Sequence, residues 1–398
     1  MTAGSPHGPL HGVRIVDCTM AAAGPFATMI LAEQGADVIK VERPGTGDFM
    51  RALGTVHNGV TGVFAGFNRG KRGVAIDIKQ PDGAALLHQL VGTADVFVHN
   101  MRPGVAERLG IGERDLRARH DDLVYVTISG FGLTGPYAQQ PAYDSVMQAA
   151  SGFAAHQADA TGAPQFIANA VCDKTTALTA AQLITAALFA RERGAGGQHV
   201  HVSMLHAAIA FLWPDGMQDV TFLDRPHTAH SARATSPPVR RTRDGYISIT
   251  TLLDVEFRGL CRVLGLAALV TDARFAETGD RSRNAAALHP IVNAALADRG
   301  TDELATQLEI EGVPHAVVNT IDRIHLDPQV AATAILSELR HPTGGLMRVP
   351  RPVGDFDRTP LALDRPAPLL GQHTDEVLAD LGLDALARDD LRRRGTIA

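Results

Sequence analysis

The sequence predicts an α/β protein: a large domain built on a parallel sheet, interrupted by a smaller α+β domain. Three observations carry this. Short β-rich runs alternate with helical stretches from Gly12 to Gly132, the pattern of βαβ units. The chain has 398 residues, too many for one typical core. Residues 225–245, "RPHTAHSARATSPPVRRTRDG", are rich in Pro, Arg and Ser, show no periodicity, and read as a linker or mobile loop.

The elements follow in order. "VRIVD" is a strand. "GPFATMILAEQGA" is a helix with Pro25 near its start and Gly35 after its end, the positions where each residue type is tolerated. "DVIKVE" and "GVAIDI" are strands, then come the helix "PDGAALLHQLVGTA" and the strand "DVFVHN". The helices "GVAERLG" and "GERDLRARH" lead into the strand "LVYVTISGFG". From about 140 to 213 the chain reads as largely helical, broken by the strand "GQHVHVS". "YISITTL" opens the smaller domain, with helices around 254–264, 284–298 and 301–311. "PLLGQHTDEVLADLGL" is a loop entering an amphipathic helix that returns to the first domain. The expected divisions are 1–224, 225–330 and 331–398.

Composition narrows the function. A net charge of -6 argues against a general nucleic-acid binder. "MTAGSPHGPLHG" has neither basic lead nor apolar core, so no secretory signal is expected, and the most apolar runs are shorter than a bilayer span. These point to a cytoplasmic protein without a membrane partner. Cys18, Cys172 and Cys261 lack metal-ligand spacing, so no metal site is expected. Only four of the 37 basic side chains are lysines: Lys40, Lys71, Lys79 and Lys174.

The first strand, turn, helix and second strand, ending on Glu42, follow a dinucleotide-binding plan. The turn reads "DCTMAAAGPF", however, without the glycines that let a backbone approach a pyrophosphate. Cations after successive strands offer another anion site. "VERPGTGDFMR" carries Arg43 and Arg51, "NRGKRGVAIDIK" carries Arg69, Lys71, Arg72 and Lys79, and "HNMRPGVAERLG" carries Asn100, Arg102 and Arg108. Together they could hold a ligand with several phosphates; solvated surface charge is the competing reading. In "NAVCDKTTALTAAQ", Asp173 precedes a helix-forming run. It reads as an N-cap. Held ionised by the helix dipole, it also reads as a nucleophile. Cys172 is the rival nucleophile.

The chain resembles the class III CoA-transferases, with the α-methylacyl-CoA racemases as relatives. The resemblance spans nearly the whole chain. It rests on "LHGVRIVDCTMAAAGP", "GADVIKVERPGTGD", "NRGKRGVAIDIKQPDG", "ADVFVHNMRPG", "YVTISGFGLTGPYAQQPAYDSVMQAASG", "CDKTTALTAAQ", "GQHVHVSML" and "APLLGQHTDEVL", in that order. It implies a Rossmann-like large domain and a homodimer of interlocked chains. It also implies coenzyme A, bound as an acyl-CoA substrate, and small carboxylic acids as partners. Asp173 matches the catalytic aspartate. Arg43, Ile76, Lys79, Asn100 and Arg108 match CoA contacts, and Tyr143 matches an aromatic or histidine position near the thioester. Three positions depart from the formyl-CoA transferases of the family: Ala22 replaces a glutamine, Pro141 replaces a lysine, and "RATSPPVRRTRDG" stands where a glycine-rich lid would be. Tyr143 stands where the racemases carry histidine, and tyrosine is a poor base, which favours CoA transfer over the alternative of an acyl-CoA racemase or isomerase. A CoA-binding protein without turnover is the alternative from another class.

Overall fold

The computed structural model describes residues 8–159, 161–224 and 238–398. The chain divides into two compact units, Met1–Met217 with Ala334–Ala398, and Gln218–Thr333.

The first unit is built on a six-stranded parallel sheet. Its strands are β1 (Arg14–Cys18), β2 (Asp37–Glu42), β5 (Arg72–Ala75), β6 (Val96–His99), β7 (Val124–Ser129) and β8 (His199–Ser203), ordered β5-β2-β1-β6-β7-β8. A hairpin of β3 (Val56–His57) and β4 (Val60–Thr61) lies between β2 and β5 in sequence. A parallel sheet is buried on both faces, so its strands read as near-continuous apolar runs. Adjacent residues accordingly enter opposite cores. Ile15, Val38 and Val96 pack on one side; Val16, Ile39 and Phe97 pack on the other.

Helices cover both faces. α1 (Ala23–Glu33) and α8 (Val171–Ala190) share the first. Their contact is made of small side chains, Ala23 and Ala27 against Ala177, Ala180 and Ala181. Small residues let two helices approach closely, which brings the start of α1 to the start of α8. The opposite face is covered by α3 (Pro81–Val91), with Leu86, Leu87 and Leu90, and by α5 (Glu113–Arg117), with Leu116. α2 (Gly62–Asn68) leads into β5, and the short α4 (Val105–Arg108) follows β6. α6 (Asp144–Ser151), α7 (Phe153–His156) and α9 (Met204–Gly216) form a further apolar cluster around Met147, Phe153 and Leu212. Near the C-terminus, the helix Thr374–Asp380 buries Val377 and Leu378 in the α3-side core.

The second unit carries an antiparallel sheet ordered β11-β10-β9, from β9 (Arg240–Arg241), β10 (Tyr246–Ile249) and β11 (His315–Val317). Its core gathers Ile247, Phe257, Leu260, Phe275, Leu296 and Leu304. Much of the expected linker, 225–237, lies outside the described residues. The remainder is not a loop throughout. Arg240 is buried in β9 and donates to the Asn293 Oδ1 at 2.6 Å.

Candidate active site

Asp173 opens onto a cavity of about 820 Å³ in the first unit. Met20, Ala23, Asn100, Arg102, Tyr143, Asp144 and Asn169 share its lining. Phe49, Leu53 and Phe166 give it an apolar wall and are 44%, 50% and 57% exposed. The cavity lies beyond the carboxyl ends of β1, β6 and β7, where ligands of open α/β sheets bind.

Asp173 is not the N-cap that local sequence suggested. Ala170 takes that position, and Asp173 is the third residue of the first turn of α8. Its main-chain N–H donates to the Asp144 Oδ1 at 3.0 Å. Ala23, in the first turn of α1, lines the same cavity beside it. The first turns of α1 and α8 therefore both lie at this cavity, an arrangement that favours negative charge. The dipoles do not win. Burial and the nearby Asp144 carboxylate push Asp173 up from 3.8 to about 6, against the Ala23 main-chain amide. At pH 7 a group with that pKa is still about nine-tenths ionised. It is also more basic, hence more nucleophilic, than an ordinary aspartate.

Cys172 is excluded as the rival. It is fully buried, and burial pushes its thiol up to about 12, so thiolate is scarce at neutral pH.

Two of the sequence-matched positions join Asp173 in the cavity: Asn100 and Tyr143. Asn100 holds the Met20 main chain from both sides, its Oδ1 accepting from the Met20 N–H at 2.9 Å and its Nδ2 donating to the Met20 carbonyl at 2.8 Å. One amide N–H of Asn100 remains for a ligand. Tyr143 is 63% exposed and precedes α6 directly. Arg43, Ile76 and Asn100 each follow a strand directly, β2, β5 and β6, and so share one edge of the sheet. The Ile76 side chain is buried in the α3-side core, so any ligand contact it makes runs through its main chain. Lys79 and Arg108 are exposed.

The other expected phosphate ligands are corrected by the structure. Arg51 forks onto the Glu42 carboxylate at 2.8 and 2.6 Å and stacks over Phe64. Arg69 is buried against Glu33. Lys71 is fully buried and bonds Asp17, Pro25 and Asn68. Arg72 is buried and pairs with Asp37, Glu376 and Asp380. Their charge is neutralised inside the protein. Sequence reasoning passed over the role of Asp144. An acidic residue opening a helix after an aromatic is a weak signal, and its closeness to Asp173 is set only by the packing of α6 on α8.

A parallel α/β sheet, a cavity at its carboxyl edge and a half-buried carboxylate beside two helix starts have the form of an enzyme active site. Comparison with known proteins makes this specific. The chain belongs to CoA-transferase family III, whose family model matches residues 10–374. It is a class III CoA-transferase. It is 34% identical to the succinate–glutarate CoA-transferase of Agrobacterium fabrum, over 94% of this chain and 96% of that one. It is 32% identical to the human succinyl-CoA:glutarate CoA-transferase, over 98% and 90%. A solved structure of a CaiB/BaiF family protein from Brucella suis superposes with a TM-score of 0.82 at 31% identity, over 94% of this chain and all of that one. No helix among the described residues is long and apolar enough to cross a membrane.

Proposed function

We propose that this enzyme moves CoA between carboxylic acids through covalent intermediates on Asp173. The observation that carries the reading is the Asp173 carboxylate opening into the cavity beside Asp144 and Ala23, with burial and Asp144 raising its pKa. The carboxylate attacks the thioester carbonyl of a donor acyl-CoA. The C–S bond breaks, giving an aspartyl–acyl anhydride and the CoA thiolate. The thiolate attacks the aspartyl carbonyl, the anhydride C–O bond breaks, and the donor acid leaves as its carboxylate. An acceptor carboxylate then attacks the aspartyl-CoA thioester, and the C–S bond breaks to give an aspartyl–acceptor anhydride and the CoA thiolate. The thiolate attacks the acceptor carbonyl, breaking the anhydride C–O bond to release the new acyl-CoA and the Asp173 carboxylate. Each intermediate is an activated acyl compound, so little free energy is lost between steps. When the aspartyl carbonyl is attacked, a full negative charge develops on its oxygen. The N–H groups at the start of α1, where Ala23 lines the cavity beside Asp173, are proposed to stabilise the change.

Arg43, Lys79 and Arg108, with the main chain at Ile76 and the free N–H of Asn100, are proposed to hold CoA. Tyr143 is proposed to flank the thioester. The acids are proposed to be dicarboxylates, on the strength of the succinate and glutarate relatives. Two chains are proposed to interlock, with 1–224 and 331–398 carrying CoA and the 225–330 domain of the second chain completing the acceptor side. Native mass spectrometry tests the assembly: two chains are expected, and a monomer at micromolar concentration would sink it.

Hydroxylamine trapping during turnover, followed by peptide mass spectrometry, tests the chemistry. A hydroxamate at residue 173 is expected, and Asp173→Ala should abolish transfer. Transfer near the wild-type rate in that variant would end the assignment. A panel of acyl-CoAs and free acids identifies the pair.

A further inference from the structure

Beneath the turn joining β1 to α1 lies a set of buried charges that the transfer chemistry does not use. Asp17, Lys40 and Lys71 are fully buried, and Asp48 is 1% exposed. Lys71 spends its three donors on the Asp17 Oδ2 at 3.0 Å, the Pro25 carbonyl at 2.8 Å and the Asn68 Oδ1 at 2.8 Å. Lys40 donates to the Thr19 carbonyl at 2.9 Å and the Asp48 Oδ2 at 3.2 Å. Asp17 also accepts from the Thr19 N–H and hydroxyl and from the Thr28 hydroxyl.

What these groups hold is a stretch of main chain. The Thr19 N–H is fixed by Asp17 and its carbonyl by Lys40. The Ala21 N–H donates to the Asp48 Oδ1 at 3.3 Å. The Pro25 carbonyl, one turn into α1, is fixed by Lys71. Ala21 is held at φ 70, a left-handed conformation that a residue with a Cβ adopts only when its surroundings impose it. The turn also folds tightly on itself: a Cβ at Gly24 would lie 2.3 Å from the Thr19 Cβ. Two residues after the strained Ala21 comes Ala23, and both line the cavity that Asp173 opens onto. Ion pairs this deeply buried are a poor source of stability, because desolvation offsets their attraction. Their retention calls for a role in geometry.

We infer that the Lys71–Asp17 and Lys40–Asp48 pairs are positioning residues, which lock the Thr19–Ala23 turn so that the first amides of α1 point at the reacting carboxylate of Asp173. The inference rests on Asp173 as nucleophile for its link to turnover. Its structural half is separate, since the aim of the Ala23 amide can be read without catalysis. Burial opposes the charge on Asp17, yet Lys71, Lys40 and the two threonine hydroxyls hold its carboxyl well below the usual range, so Asp17 stays ionised through neutral pH. The charged or titratable groups that interact with Asp173 among the described residues are Asp144 of α6 and Cys172 of its own helix, with Ala23 of α1 across the cavity lining. A change in its titration on altering Asp48 therefore reports on the α1 amide, provided Asp144 is untouched.

The test compares Asp48→Ala, which removes the acceptor of the Ala21 N–H, with Asp48→Asn, which keeps it. Asp48→Ala also strips Lys40 of a partner. The double variant Lys40→Met with Asp48→Leu guards against misfolding by replacing the pair with apolar groups of similar volume. Carboxyl NMR of the full-length protein, with the Asp173 signal assigned by its loss in Asp173→Asn, reads the titration directly. A main-chain amide facing a carboxylate lowers its pKa, so loosening the turn should raise that of Asp173 by about half a unit or more in Asp48→Ala and in the double variant. Asp48→Asn should leave it in place. In the first two, kcat should fall about ten- to a hundredfold with KM for acyl-CoA unchanged. A folded Asp48→Ala or double variant whose Asp173 titration stays put overturns the proposal. A raised titration with unchanged kcat supports the positioning network and overturns Asp173 as the nucleophile.

Discussion

Lys71 and Lys79 stand at the two ends of one segment, before and after β5, and in the sequence they belong to one basic cluster. Folding gives them opposite fates. Lys71 enters the sheet interior and meets Asp17, Pro25 and Asn68, while Lys79 stays exposed past the carboxyl end of the strand. The same division separates Arg51, Arg69 and Arg72 from Arg43 and Arg108. An interior cation must have its counter-charge and hydrogen bonds supplied by the protein, because a buried unpaired charge costs several kcal/mol. A rim cation keeps its water and can exchange it for a ligand phosphate. Basic residues in a ligand-binding segment are therefore not interchangeable.

The comparison breaks hardest at Lys71. Lys71→Met leaves Asp17 as a buried charge with one fewer partner and should cost about 3–5 kcal/mol, seen as a lower urea midpoint. Lys79→Met should leave that midpoint unchanged. A next smaller effect comes from Asp173, a half-buried charge. Its folded pKa, about 6, exceeds the unfolded 3.8, so ionising it opposes folding. The cost is full above pH 6 and absent below about pH 4. Asp173→Asn should therefore be more stable than wild type by up to about 3 kcal/mol at pH 8, the gain fading as pH falls, while transfer is lost. In the wild type, kcat/KM should decline on the acid side with an apparent pKa near 6. The smallest effects belong to the rim. Arg43→Ala, Lys79→Ala and Arg108→Ala should each raise KM for acyl-CoA by about three- to tenfold, with stability changed by less than about 0.5 kcal/mol. The wild-type KM should rise with salt more steeply than that of each variant.

Much of the fold was legible in the chain. Apolar runs such as "VRIVD" and "LVYVTIS" mark strands buried on both faces, because a parallel sheet covered by helices leaves no polar side. Pro25 and Gly35 bracket α1 as their backbone preferences dictate. Asp173 was legible as a candidate, though not its position. Local preference favours aspartate at the N-cap, but here the main-chain course through Asn169 and Ala170 starts the helix earlier, and Asp144 from α6 takes up the Asp173 amide. The start of the smaller sheet was hidden as well. "PPVRRTR" reads as solvated loop because Arg240 looks polar until β9 forms and Asn293 accepts its guanidinium.

The sequence by itself determined the order of strands and helices, the apolar faces that build the two cores of the sheet, and the family, since these reside in periodicity and in motifs held along the chain. Tertiary structure alone decided which cations face water, which carboxylate is raised, and which amide faces it. Each of those depends on groups far apart in the chain: Ala23 with Asp173, Asp17 with Lys71, Arg72 with Glu376. The energy of a charge is set by the solvent and partners that folding leaves around it, and neither is written in its neighbours along the chain.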